Sequence, residues 1–243
     1  MTHPTDLGMN RTGIDLSPIN AQELISAARA APPTSEGDEQ TVAAYRSRYI
    51  QEAEPIGTVP VPATLKGLAQ AVIQELTGKK PGVLIDKLGE RLAFERTGTR
   101  LYDAFLNKCQ TRTEAARSLP LDQLRIFRDE EARHFALIWD VMRDLGADPT
   151  AQTPCADTSG VASMGLMQVI TDPRTSVDQS LHAIHIAELA DHDGWELLIT
   201  LTTDMGLDDL AAQFRQAYTE EQRHLRTIRE LMATCIKTEA GMM

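Results

Sequence analysis

Glu130-Glu131-Ala132-Arg133-His134 is answered later in the chain by Glu220-Glu221-Gln222-Arg223-His224. Each copy sets a carboxylate and an imidazole three residues apart, so on a helix both side chains leave one face about a turn apart. No other Glu-x-x-His occurs in the sequence. A single such pair on a surface helix commonly makes only a local hydrogen bond, with the acids solvated or paired to Arg133 and Arg223. Two copies, each preceded by a long helical segment with its own internal Glu, point instead to side chains converging on metal.

Around these phrases the pattern is helical. Long helices are predicted near 83–109, 121–145, 176–205 and 208–234. Pro120 suits a helix start, Gly146 and Pro149 a stop, and Gly206 a tight link. Two connections are short, which makes antiparallel neighbours. The middle one, about thirty residues long, can cross the length of a bundle. Val161 to Ile170 within it is apolar enough for a short helix. The two hairpins also resemble each other. Glu95 precedes Tyr102 by seven residues and Glu188 precedes Trp195 by seven, while Glu131 follows Glu95 by 36 and Glu221 follows Glu188 by 33. Such agreement suggests an internal duplication.

The predicted organisation is an N-terminal arm over 1–60, an accessory helix and linker over 61–82, a bundle over 83–235 and a tail over 236–243. Pro32, Pro33, Pro55, Pro60 and Pro62 punctuate the arm, where short helices are expected from Ser17-Pro18 and from Glu39 to Gln51. Leu65, Leu68, Ala69, Val72, Ile73 and Leu76 form one stripe of a helix near 63–76.

Composition narrows the function classes. With 243 residues, 42% hydrophobic and 24% charged, the chain suits a soluble globular protein with a substantial core. A formal charge of −11 argues against a nucleic-acid partner. No apolar run approaches a membrane span, and the start Met1-Thr2-His3-Pro4 is unlike a secretory leader, so a cytoplasmic location is expected. Cys109, Cys155 and Cys235, widely spaced and without Cys-x-x-Cys, suit reduced thiols.

Glu95, Glu131-x-x-His134, Glu188 and Glu221-x-x-His224, on four successive helices with a long middle crossover, resemble the ferritin-like di-metal carboxylate superfamily. The resemblance covers roughly 83–235. It implies an all-α, ferritin-like four-helix bundle and a metal site of Glu95, Glu131, His134, Glu188, Glu221 and His224. Glu131 and Glu221 would bridge two ions and carry the catalytic role, His134 and His224 would each hold one ion, and Glu95 and Glu188 would complete the set. Two iron ions, two manganese ions or one of each are implied, since mixed oxygen and nitrogen ligands suit those metals.

The residues leave alternatives within each helix. Glu90 or Asp103 competes with Glu95, and Asp191, Asp193 or Glu196 with Glu188. Glu130 and Glu220, about 100° round the helix, are expected to face solvent or a neighbour. His185 and His192 are candidates for an extra ligand or proton relay against a reading as satisfied edge histidines. Tyr102 and Trp195 read first as core packing, with Tyr102 also a candidate partner of the site, and Asp191 is a candidate orienter of a metal-bound His.

The function expected is a non-haem di-metal oxidoreductase meeting dioxygen, peroxide or ferrous iron: a peroxide scavenger or ferroxidase. With no Cys-rich module, its electrons would come from an unidentified external donor, from ferrous iron or from a second peroxide. A homodimer is compatible with this reading. The alternatives are iron storage or delivery without turnover, and a metal-free structural bundle.

Overall fold

The computed structural model describes residues 18–31, 38–61, 80–112 and 116–242. Among them are seven helices and no strand, so the described chain is all-α. The chain divides between Glu54 and Pro55 into two compact units. The first holds α1 (Pro18–Ala30) and α2 (Glu39–Glu52). Asp38 caps α2, its carboxylate accepting the Thr41 N–H at 2.5 Å, and no residue of α2 is buried. The helix expected near 63–76 lies outside the described residues.

The second unit holds α3 (Pro81–Thr111), α4 (Leu121–Asp144), α5 (Pro154–Thr171), α6 (Val177–Asp204) and α7 (Asp208–Glu239). Pro81 opens α3, where a missing N–H costs nothing. A reciprocal capping box, Ser176 with Gln179, opens α6. Gly146 and Gly206, at φ 81° and 70°, end α4 and α6 in the left-handed region that favours glycine. The crossover helix α5 is longer than the apolar run 161–170 suggested. Thr153 accepts the Ala156 N–H at 3.3 Å and Pro154 follows it, so the helix begins seven residues earlier, at Pro154.

The four long helices pack through two apolar clusters. One joins Leu101, Phe105, Phe127, Leu181, Ile184 and Ile228; the other joins Leu88, Leu92, Ile138, Met142, Trp195 and Phe214. Each cluster takes the end of one helix and the beginning of its neighbour, so α3 with α4, α3 with α6, α6 with α7 and α4 with α7 all run antiparallel. Burying each such side chain contributes about 1.5–3 kcal/mol, which holds the helices in register. α5 lies against α3 and α6. Its start is fixed by the Cys155 N–H, which donates to the Asp86 carboxylate at 2.8 Å.

The middle of each long helix, between the two clusters, carries polar side chains. The charged layer is therefore clamped from both ends by packed apolar residues.

Candidate metal centre

The structure brings together all six residues proposed as ligands. Glu95 is on α3, Glu131 and His134 on α4, Glu188 on α6, and Glu221 and His224 on α7, and none is more than 3% exposed. One ligand atom each from Glu131, Glu188, Glu221 and His224 lies within 4.8 Å of the others, and the same holds for Glu95, His134 and Glu221. A third overlapping group is Glu95, Glu131, Asp191 and Glu221. Glu221 belongs to every group and Glu131 to two, which are the positions bridging ligands need.

Both imidazoles point the same way. His134 Nδ1 lies 2.8 Å from Glu221 Oε1 and 3.7 Å from Glu95 Oε2. His224 Nδ1 lies 3.2 Å from Glu221, 3.5 Å from Glu131 and 3.7 Å from Glu188. Their outer nitrogens face the doublet glutamates of the opposite copy: His134 Nε2 is 2.9 Å from Glu220 Oε2, and His224 Nε2 is 2.7 Å from Glu130 Oε2. Glu130 is 5% exposed and also takes ion pairs from Arg223 and Arg133, so it is not a solvent-facing residue. Glu220, half-buried, lies on a neighbour, as one of its two expected placements had it. A carboxylate on Nε2 fixes the ring and makes Nδ1 a better donor to a cation. That both phrases begin with a Glu doublet was the available signal: the first Glu meets the other copy's His and the second points inward. Each ring also rests on an aromatic, His224 on Phe127 at 4.1 Å between centroids and His134 on Trp195 at 5.5 Å.

The remaining candidates separate. Tyr102 donates its hydroxyl to Glu188 Oε1 and is buried, so it is more than core packing. Asp191 orients no imidazole: it pairs with Arg91 at 3.0 Å and presents an oxygen to the acids. His185 and His192 do not reach the cluster. His192 lies against Tyr218 and 3.2 Å from Asp193, and burial, then Arg229 and His182, hold His185 below the usual imidazole range. Glu90 pairs with Lys87 and Asp103 with Arg128, while Asp193 and Glu196 are exposed.

Arg91 is the residue the sequence reading missed. It is 5% exposed, its Nε lies 3.1 Å from Glu95 Oε1, and its Nη1 reaches both the Asp191 carboxylate and the Asp191 carbonyl at 3.0 Å. Its position four residues before Glu95, on the same helical face, was the only sequence signal. Gly194 makes room for it, because a Cβ there would collide with the guanidinium. Gly98 does the same for Glu131, whose Oε2 lies where a Cβ would be.

The electrostatics of this layer are severe. Burial, then repulsion from Glu221, pushes the Glu131 carboxyl up to about 8 and raises Glu188 well above the usual range. Burial raises Asp191 despite Arg91. Burial opposes protonation of His134, but the Glu221 and Glu95 carboxylates beside Nδ1 override it and lift the imidazole to about 11. Burial would likewise raise Glu221, yet the two imidazoles hold it down at about 2. Without cations, these shifts favour protons on Glu131, Glu188 and Asp191 and on both rings. Glu95 Oε2, Glu131 Oε2, Glu188 Oε2, both Glu221 oxygens and both Nδ1 atoms are buried and make no hydrogen bond of acceptable geometry within the described protein. Such a set of inward, unsatisfied oxygen and nitrogen donors fits cations.

No protein-family model matches the chain, and neither a curated protein nor a solved structure matches it.

Proposed function

We propose that residues 83–235 form a ferritin-like bundle holding two divalent transition ions, and that the protein is a non-haem di-metal oxidoreductase acting on dioxygen or peroxide. The observation that carries this reading is charge. Glu95, Glu131, Glu188, Asp191 and Glu221 are five buried carboxylates facing one buried guanidinium, Arg91. Two divalent cations with neutral imidazoles bring that layer to zero. Four-fold excess negative charge in a dry core is otherwise tolerated only by taking up protons.

One ion would be held by Glu131, Glu188, Glu221 and His224, the other by Glu95, His134 and Glu221, with Glu131 and Asp191 in reach. When bound, iron or manganese would supply redox chemistry toward dioxygen or peroxide. The chain's own residues do the rest. Glu130 and Glu220 hold the imidazoles by Nε2, Tyr102 holds Glu188 by Oε1, and Arg91 ties one oxygen of Glu95. The apolar clusters above and below exclude water from the layer.

The test is elemental analysis of protein purified without added metal, followed by aerobic ferrous loading of metal-free protein. Two ions per chain and a new near-ultraviolet absorption are expected; no bound metal at stoichiometric loading overturns the reading. Peroxide added to the loaded protein should turn over for many equivalents, whereas one burst and then silence marks an iron store.

A further inference from the structure

A second space adjoins this layer from outside. A cleft of about 530 Å³ opens between α3, α5 and α6, within the size range of small-molecule pockets. Val83, Phe94, Ala162, Ala190, Leu197 and Leu201 set its character. Leu197, Ile186 and Val83 stand 70%, 44% and 46% exposed along it, a concentration of large apolar side chains on one face that ordinary surface does not explain.

Apart from the Ser159 hydroxyl, the polar side chains that line the cleft have partners inside the protein. Ser163 donates its hydroxyl to the Ser159 carbonyl at 2.8 Å, Lys87 pairs with Glu90 at 2.6 Å, and Arg91 is taken up by Asp191 and Glu95. A ligand would find hydrocarbon contact and few hydrogen bonds on offer, which selects against sugars, nucleotides and other polar molecules.

The cleft also leads inward. Its floor includes Arg91 and Gly194, and directly behind Arg91 are Glu95 and Asp191. Phe94 borders the cleft and also a closed gap, too narrow to hold a water, between Gly98, Tyr102, Glu131, Glu188 and Asp191. This aromatic side chain therefore lies between the apolar cleft and the proposed ligands.

We infer that this cleft binds an uncharged aliphatic molecule, its apolar chain lying along α5 and α6 and its inner end against Phe94. Delivery of that molecule to the metal centre rests on the metal reading above; the binding itself does not. The occupant is a hydrocarbon-rich small molecule, and any polar end stays at the mouth beside Lys87 and Glu90.

The experiment uses the full chain titrated with n-octanol by calorimetry. Saturable binding of one molecule per chain is expected, weakened roughly tenfold or more by Ala190→Phe and Ala162→Phe, which fill the cleft from exposed positions. Leu197→Lys, at the most exposed wall residue, should weaken it comparably and guards against a bulky variant that folds poorly. Absence of saturable binding, or variants that bind as the parent does, overturns the inference. Metal content measured on the same samples keeps the two readings apart: two ions retained with no octanol binding sinks the cleft alone. On cobalt-loaded protein, octanol should shift the visible spectrum; an unchanged spectrum overturns the inner placement against Phe94.

Discussion

Replacing Arg91 by Met removes the only guanidinium from the acidic layer while keeping an unbranched side chain of similar length. The variant leaves Glu95 Oε1 and Asp191 Oδ1 without the partners now 3.1 and 3.0 Å away, in a place where both acids are almost fully buried. Stranding one half of a buried pair costs about 3–5 kcal/mol, and here two acids are stranded together. In the metal-free protein that loss should lower the melting temperature by about 10 °C for a chain of this size. With two divalent ions bound the outcome differs, because the cations replace the lost positive charge and Asp191, freed from Arg91, lies within ligand distance of Glu95, Glu131 and Glu221. The loaded variant should therefore lose at least about 1.4 kcal/mol less than the metal-free one, and by linkage bind the ions about tenfold more tightly than the parent. Urea unfolding of both proteins with and without manganese, alongside direct titration, measures every term. Adding Asp191→Asn should recover part of the loss, since it removes one of the stranded charges. Equal losses with and without manganese, or no loss at all, would refute the view that Arg91 and the ions share one task of charge balance.

Glu221→Gln should abolish binding of both ions, since Glu221 belongs to each of the three buried groups of convergent ligand atoms, whereas Glu188→Gln should cost chiefly the ion held with His224; stoichiometry by elemental analysis separates them. Glu130→Gln, which weakens the partner of His224 Nε2 without touching the inner acids, should lower metal affinity by about 10–100-fold with the fold unchanged by circular dichroism. Tyr102→Phe strips Glu188 Oε1 of its buried donor and should cost about 1–3 kcal/mol in the metal-free protein, read by urea unfolding. The pH dependence should invert on loading. Glu131, raised from 4.5 to about 8, and His134, raised from 6.5 to about 11, stabilise the metal-free fold fully below their ordinary values, and that contribution fades as pH climbs through the raised ones. Melting temperature should thus fall between about pH 6 and 9 without metal and rise over the same window with it, because cations need those ligands deprotonated. Parallel slopes would contradict the assignment.

The extent of the long helices was legible because their sequence signals are local. Pro120, Gly146 and Gly206 act within a turn of where they stand, and the structure begins or ends its helices beside each of them. The convergence of the inward acids and imidazoles was legible for a different reason: duplication made each copy of Glu-x-x-His a check on the other. Where duplication was broken, the reading was incomplete: it missed Arg91 and Gly98 and held Asp191 only among the alternatives. Arg91, Gly98 and Asp191 have no counterparts of the same type in the other hairpin, where Ile184, Asp191 and, in the reverse sense, Gly98 occupy the matching places. Arg91 reaches across to α6 only because Gly194, more than a hundred positions away, has no side chain, a steric condition between distant residues that no periodicity encodes. Glu130 was legible only in part. Its angle round α4 left solvent or a neighbour open, and α7 packs on that flank and brings it into contact with His224 and Arg223. The doublets were conspicuous, but their role depends on two helices passing each other at one depth, so that each first Glu meets the other copy's imidazole. The asymmetry has a chemical consequence. A duplicated hairpin alone would give two equivalent ion positions, whereas Arg91 draws one oxygen of Glu95 away from the layer on one side and Tyr102 holds Glu188 on the other. The positive charge of Arg91 stands on the His134 side only, so loading should proceed in two distinguishable steps, with the His224 position filled first.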